Sequence, residues 1–244
     1  MNDPAGFHAI AVPPHWAYPI MWAQAGWAYL LFAFLIGSIP FGLLIGRVFF
    51  KTDIRAGGSG NIGAANALRT FGKTAGIVVL LLDAAKGIVG ILMARFLWLH
   101  VPLALRGEAG PPVALDPAIG PFWALLPLAG LAAILGHCYS PWLAFRGGKG
   151  VATFLGVAFA LAPVSGFAFI AVWLAVVVPT GFASLGSMLA TVVAGAFLVG
   201  FGAKYGDSAF VFALGSALVV MWKHRENLGR LRTGTENRLT LFKK

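Results

Sequence analysis

Charge is scarce in this chain. Only 11% of its 244 residues are charged, against about 25% in a soluble domain. So few ionic groups cannot cover a globular surface in water, which excludes the soluble classes. Acidic residues are scarcest: eight Asp and Glu stand against 18 Lys and Arg, a formal net charge of +10. Cysteine occurs once, at Cys138, so no intrachain disulfide can form, and Cys138 reads as a small buried hydrophobe. His, Cys, Asp and Glu nowhere cluster at metal-ligand spacing, and neither metal nor cofactor is expected. No Lys or Arg precedes Arg47, so the start lacks the basic n-region of a signal peptide. No basic stripe is interleaved with aromatics, which argues against nucleic acid. The positive charge fits an anionic lipid surface and anionic substrates. Alternating ten-residue strands are also missing, which argues against a membrane barrel.

What is present is apolar. Hydrophobic residues make up 59% of the chain, and the mean hydropathy is +0.85. The long apolar runs predict an all-α polytopic membrane protein. Residues 1–22 read as an exposed tail with Pro13-Pro14, and with Trp16, Tyr18 and Trp22 at the headgroup level. Residues 23–222 read as one transmembrane helical domain, and 223–244 as a basic tail. Spans are expected at about 23–50, 76–99, 122–143, 151–161, 164–178, 182–201 and 208–222, some seven in all. Pro40 should kink the first, and a break is expected at Ala162-Pro163. The kink reads as structural. Asp83 and Lys86 share a helix face inside the second span, where an ion pair must face the protein interior. Pro102 to Pro121 reads as an outer loop. With cations on the inside, the N-terminus lies outside and the C-terminus in the cytoplasm. The cytoplasmic loops then cover about 51–75 and 144–150, and Arg106 lies outside.

Polar groups concentrate in four segments on that cytoplasmic side. The first is Gly57-Gly58-Ser59-Gly60-Asn61-Ile62-Gly63-Ala64-Ala65-Asn66-Ala67-Leu68-Arg69. It has Arg47, Lys51 and Arg55 before it and Arg69 and Lys73 at its end. Its glycines, among them Gly58 and Gly60, free the backbone to aim N–H groups at one point. Short side chains such as Asn61 and Asn66, bare N–H groups and flanking cations describe an anion site, with phosphate the natural occupant. A solvated loop whose cations only set topology accounts equally well for this stretch alone. The second segment is Phe145-Arg146-Gly147-Gly148-Lys149-Gly150. The third begins at Gly181 and carries Ser184. The fourth opens the tail at Lys223 and, if helical, places His224 and Asn227 on one face.

Several familiar motifs fail. Gly148-Lys149 is not a nucleotide-binding P-loop, because Gly150 stands where Ser or Thr must hold magnesium. His137 cannot open a His-x4-Asp motif, because Trp142 occupies the acid's place. Ser184 lacks the glycine two residues back that a nucleophile elbow needs. Gly57-Gly58-Ser59-Gly60 matches a rhomboid-type Gly-x-Ser-Gly, but Ser59 lies in a basic loop.

Taken together the segments resemble the bacterial acyl-phosphate:glycerol-3-phosphate acyltransferase family. The resemblance runs from about Gly37 to Glu236. It rests on Gly37-Ser38-Ile39-Pro40-Phe41-Gly42, Asp53-Ile54-Arg55, Gly58-Ser59-Gly60-Asn61-Ile62-Gly63-Ala64, Leu82-Asp83 with Lys86-Gly87, Gly136-His137, Gly147 to Thr153, Ser184-Leu185, and His224-Arg225-Glu226-Asn227 with Arg230-Leu231. It implies a seven-helix enzyme of the bacterial inner membrane with a cytoplasmic-facing site. Such an enzyme moves a fatty acyl group from acyl phosphate to the 1-hydroxyl of glycerol 3-phosphate and releases lysophosphatidic acid and inorganic phosphate. The resemblance also implies site roles for Ser59, Arg69, Lys149, Ser184, His224 and Asn227, and a supporting one for Asn66. Gly58, Gly60, Asn61, Gly147, Gly148 and Gly150 join Asn66 as expected substrate-binding residues. Ala65 departs from the family's usual Thr, and Gly181-Phe182 from its usual Arg-Tyr.

No carboxylate presents itself as a general base; the resemblance implies that the substrate's own phosphate takes the hydroxyl proton, with His224 as the alternative. The partners implied are the two substrates, the lipid bilayer and an acyl-phosphate-forming enzyme that supplies the donor. A transporter of organic phosphates is the reading from a different class, since Asp83, Lys86 and broken helices would suit one. An intramembrane protease is the remote one.

Overall fold

Proline and glycine punctuate apolar runs that have no other way to satisfy their backbone in lipid than to become helices. The computed structural model describes residues 26–105 and 120–239, with side chains except at 97–105 and 120–122. The expected N-terminal tail, Arg106 and most of the Pro-rich outer loop lie outside these residues.

The first run forms α1 (Trp27–Gly37) and α2 (Phe41–Phe49). Pro40 lacks the N–H that would continue the ladder, and the break falls at Ser38–Pro40 as expected. A 3₁₀ turn at Ile54–Ala56 and a short helix, α3 (Ala64–Phe71), follow. The sequence reading treats residues 51–75 as loop; α3 forms there because Asn66 and Ala67 are buried on one face. Helix α4 (Lys73–Leu105) extends past the expected end at Leu99. Pro102 does not stop it, as membrane helices often tolerate proline. Then come α5 (Gly120–Cys138), a 3₁₀ turn at Pro141–Leu143, α6 (Val151–Leu161) and α7 (Pro163–Thr180). Pro163 opens α7 at a position where its missing N–H costs nothing. The chain continues through α8 (Ala183–Phe201), α9 (Asp207–Lys223) and α10 (Arg225–Arg232).

Helix α1 packs on α4 and α5, α4 on α6, and α8 on α7 and α9. Small residues allow backbone-to-backbone contact at the crossings. At α1 against α5 the arrangement is reciprocal: a Cβ on Gly37 would overlap the Ala133 backbone, and one on Gly136 the Phe34 carbonyl. Phe154 of α6 stacks on Phe212 of α9 with centroids 5.5 Å apart, and Phe169 of α7 lies 5.8 Å away. Outside this core, Leu81, Phe167, Phe201, Phe210 and Leu218 are exposed, as suits a lipid-facing surface.

Among the described residues five stretches reach the length and apolarity of a span: Trp27–Phe49, Lys73–Phe96, Trp123–Leu143, Pro163–Thr180 and Ala183–Phe201. Helix α6 has 11 residues, and α9 has 17. The chain is a multi-pass membrane protein built of helices.

Candidate active site

All four polar segments meet at one end of the bundle. They surround a cavity of about 390 Å³. Its polar wall carries Ser59, Asn61, Asn66, Arg69, Lys149, Gly150, Ser184, His224 and Asn227. Leu80, Leu155, Phe169, Ile170, Trp173 and Leu174 make an apolar wall. The expected catalytic residues are therefore brought together, although they come from four separate stretches of chain.

Asn66 organises the first segment. Its Nδ2 donates to the carbonyls of Ile54 (3.0 Å), Gly57 (3.1 Å) and Asn61 (2.8 Å). Its Oδ1 accepts from the N–H of Ser59 at 2.7 Å. One buried amide thus clamps the loop against α3. Gly58 sits at φ +57°, and a Cβ there would overlap Asn66 Oδ1. Only glycine fits that position without cost. Gly58 and Gly60 shape the loop from behind and do not line the cavity, whereas Gly63, Ala64 and Ala65 do. Arg55 is committed elsewhere: its Nη2 donates to Asp53 Oδ2 at 2.6 Å. The Arg55 hydrogen bonds hold the Asp53 carboxyl down to about 2.

The second segment divides similarly. The N–H groups of Gly147 and Gly148 donate to the carbonyls of Cys138 (3.2 Å) and His137 (3.0 Å). These two glycines are therefore not free to bind an anion through the backbone. They build the turn that delivers Lys149. The Lys149 ammonium donates to Asn227 Oδ1. Burial pulls its pKa down to about 8, and Arg230 adds to the effect. Arg69 is also half-buried, and desolvation lowers it. Its Nε is buried and has no hydrogen-bond partner among the described residues. Arg69 as a residue lines the cavity, and a guanidinium there is a donor group suited to an anion.

Glu236 is a site residue that sequence reasoning missed. Its Oε1 accepts from Ser184 Oγ at 2.8 Å and Asn227 Nδ2 at 2.6 Å, and its Oε2 from Arg230 Nε at 2.8 Å. Burial alone would raise its pKa, but these hydrogen bonds outweigh it and keep the carboxyl ionised. Both oxygens are occupied, so Glu236 orients its neighbours and is not poised as a base. It lies four residues beyond the last helix, where no periodicity marks it. Its only signal is that it is an acid in a basic tail.

Glu236 also changes the reading of Ser184. The Ser184 proton is committed to the carboxylate, so the hydroxyl offers lone pairs to the cavity. His224 Nδ1 lies 2.8 Å from the Val220 carbonyl. A carbonyl only accepts, so Nδ1 carries the proton and Nε2 is the free acceptor. Burial, then the Lys149 charge, drops its pKa to about 4. His224 is therefore neutral near pH 7.

Beneath the cavity, Asp83 and Lys86 pair at 2.7 Å. Asp83 and His137 contribute to the cavity floor. Lys86 Nζ also lies 2.8 Å from the Ile39 carbonyl and 2.9 Å from His137 Nδ1.

A family model described as glycerol-3-phosphate acyltransferase matches residues 27–234. A glycerol-3-phosphate acyltransferase of Roseobacter denitrificans is 41% identical over 89% of this chain and 94% of its own length. One from Geobacter sulfurreducens is 43% identical over 84% of this chain and 93% of its own length. Among solved structures, the chain is similar to the glycerol 3-phosphate form of PlsY (YgiH), an integral membrane glycerol 3-phosphate acyltransferase. The TM-score is 0.73 and the identity 36%, covering 88% of this chain and 96% of that one. The lysophosphatidic acid form of PlsY matches with a TM-score of 0.70 and 35% identity, over 87% and 94% of the two chains.

Proposed function

This chain belongs to the glycerol-3-phosphate acyltransferase family, and on that premise we propose that it transfers a fatty acyl group from acyl phosphate to the 1-hydroxyl of glycerol 3-phosphate. The observation that carries the reading is one cavity with two chemistries. Cations and polar groups occupy one wall, and aliphatic and aromatic side chains the other. An acyl phosphate has the same division within one molecule.

In this reaction the hydroxyl oxygen attacks the acyl carbonyl carbon. The bond from that carbon to the phosphate oxygen breaks, and its electron pair leaves with inorganic phosphate. The hydroxyl proton passes to a phosphate oxygen of the substrate. Phosphate is a good leaving group, so the barrier falls mainly through orientation and charge stabilisation. Arg69 and Lys149 balance the phosphate charges, with Ser59 and Asn61 beside them. Ser184 and His224 Nε2 accept hydrogen bonds from the glycerol hydroxyls, and Asn227 holds Lys149 in place. A group that titrates near 4 is a weak base, which favours the substrate phosphate over His224 as proton acceptor.

We place the enzyme in the bacterial inner membrane with about seven crossings, α6 and α9 included, and the N-terminus outside. The cavity then opens to the cytoplasm, because Arg47, Lys51, Lys73 and Arg146 lie at its end. Residues 1–22 and 223–244 flank a single membrane domain, and an acyl-phosphate-forming enzyme supplies the donor.

The test is direct. Purified protein in detergent, given palmitoyl phosphate and glycerol 3-phosphate, should form lysophosphatidic acid and one phosphate per turnover. Binding of glycerol 3-phosphate without any product would instead point to a transporter and overturn the assignment.

A further inference from the structure

The buried Asp83–Lys86–His137 cluster has no place in the mechanism above. Buried ion pairs are usually no better for stability than well-packed apolar residues, and intramembrane ones mark function by default. Lys86 Nζ is held by three groups: it pairs with the Asp83 carboxylate at 2.7 Å, donates to the Ile39 carbonyl at 2.8 Å and lies 2.9 Å from His137 Nδ1. The Ile39 carbonyl belongs to the helix break at Ser38–Pro40. Two more groups dock on that break. Ser140 Oγ donates to the Ser38 carbonyl at 2.7 Å, and Trp142 Nε1 to Ser38 Oγ at 2.8 Å. The break is therefore a socket for the turn after α5, and is more than the simple kink that Pro40 suggests.

His137 touches that turn twice. Its carbonyl accepts from the Gly148 N–H at 3.0 Å. Its ring covers the Gly148 Cα so closely that a Cβ there would overlap Nε2, with Cε1 at 2.7 Å and Cδ2 at 2.9 Å. The next residue is Lys149. We infer that His137, fixed by Lys86 and Asp83, is a positioning residue whose ring and carbonyl set the Gly147–Gly148 turn and so aim Lys149 at Asn227 and the cavity. The inference rests on the acyl-transfer reading for its activity readout, but not for its chemical one.

The test is a compensating pair in the full-length purified protein. Gly148→Ala should lower kcat/KM with palmitoyl phosphate and glycerol 3-phosphate by about 100-fold, because it pushes against the His137 ring. His137→Asn keeps an acceptor for Lys86 but vacates the Nε2 and Cε1 positions. Combined with Gly148→Ala it should recover turnover about tenfold over Gly148→Ala alone. His137→Leu, which removes the acceptor, should fall at least about tenfold below His137→Asn. Independently of turnover, acetic anhydride labelling of Lys149, normalised to exposed Lys73 and read by peptide mass spectrometry, should rise in Gly148→Ala and His137→Leu. It should return toward wild type in the double variant. Additive losses without recovery, or equal Lys149 labelling in all variants, would overturn the positioning role. A wild-type protein that forms no lysophosphatidic acid would sink the acyl-transfer reading instead, while the labelling pattern still decides the inference.

Discussion

At Lys149, desolvation and the need for charge pull in opposite directions. Burial brings its pKa to about 8, so the cation is present at pH 7 and is lost as pH rises through that value. If the charge holds a substrate phosphate, kcat/KM should decline above pH ~8, whereas kcat should decline at higher pH because bound phosphate favours the ammonium. A guanidinium does not titrate in this range, so any activity left in Lys149→Arg should lack the alkaline limb. Lys149→Ala and Arg69→Ala should each cost about 10²–10³ in kcat/KM, the scale of losing a preorganised donor to a developing charge. Normal steady-state kinetics in both would remove the phosphate assignment. His224 poses the complementary question. Held at about 4, it cannot produce an acidic limb near the second phosphate ionisation at pH ~6. The wild-type kcat/KM profile should therefore break near pH ~6, and His224→Gln should keep that break. A break that vanishes in His224→Gln would make the histidine the base.

Among the elements, α3 and its preceding loop are the least self-sufficient. Eight residues cannot hold a helix alone, and the loop has no apolar core beyond Ile54 and Ile62. Its shape depends on Asn66, which serves three carbonyls and one N–H. Asn66→Leu leaves those buried groups without a partner and should destabilise the protein by about 2–4 kcal/mol. The loss should be read as a lower Tm in detergent, together with loss of the Tm rise that glycerol 3-phosphate gives the wild type. Gly58→Ala should act through the same contact, adding left-handed strain of roughly 1–2 kcal/mol. If both variants melt and turn over like wild type, the clamp is unimportant.

On the scale of the whole molecule, every cation near the cavity must lie on one side of the bilayer. The contact between Lys149 and Asn227 already ties the loop before α6 and the helix after α9 to the same end. In a Cys138→Ser background, a cysteine at exposed position 146 should react with an impermeant maleimide only in inverted vesicles. A cysteine at exposed position 204 should react from the outside. Labelling of position 146 in intact cells would refute a cytoplasmic site.

Hydropathy and punctuation were enough to read the long apolar helices, though not α3, which forms where a loop is expected. Apolar runs must hydrogen-bond internally in lipid, so composition decided the class, and Pro40 and Pro163 decided where helices break. The site residues were legible as types, because phosphate chemistry needs cations, short polar side chains and glycine. Their partners were not. Glu236 reaches Ser184 across 52 positions, Lys149 reaches Asn227 across 78, and Lys86 reaches His137 across 51. Hydropathy and motif spacing report local periodicity, and these pairings are set by how helices far apart in sequence pack. Packing alone turned Gly147 and Gly148 from expected substrate-binding residues into the frame of a turn, because their N–H groups are claimed by the end of α5. It also set the protonation of His224, since burial beside Lys149 depends on which helices close over it.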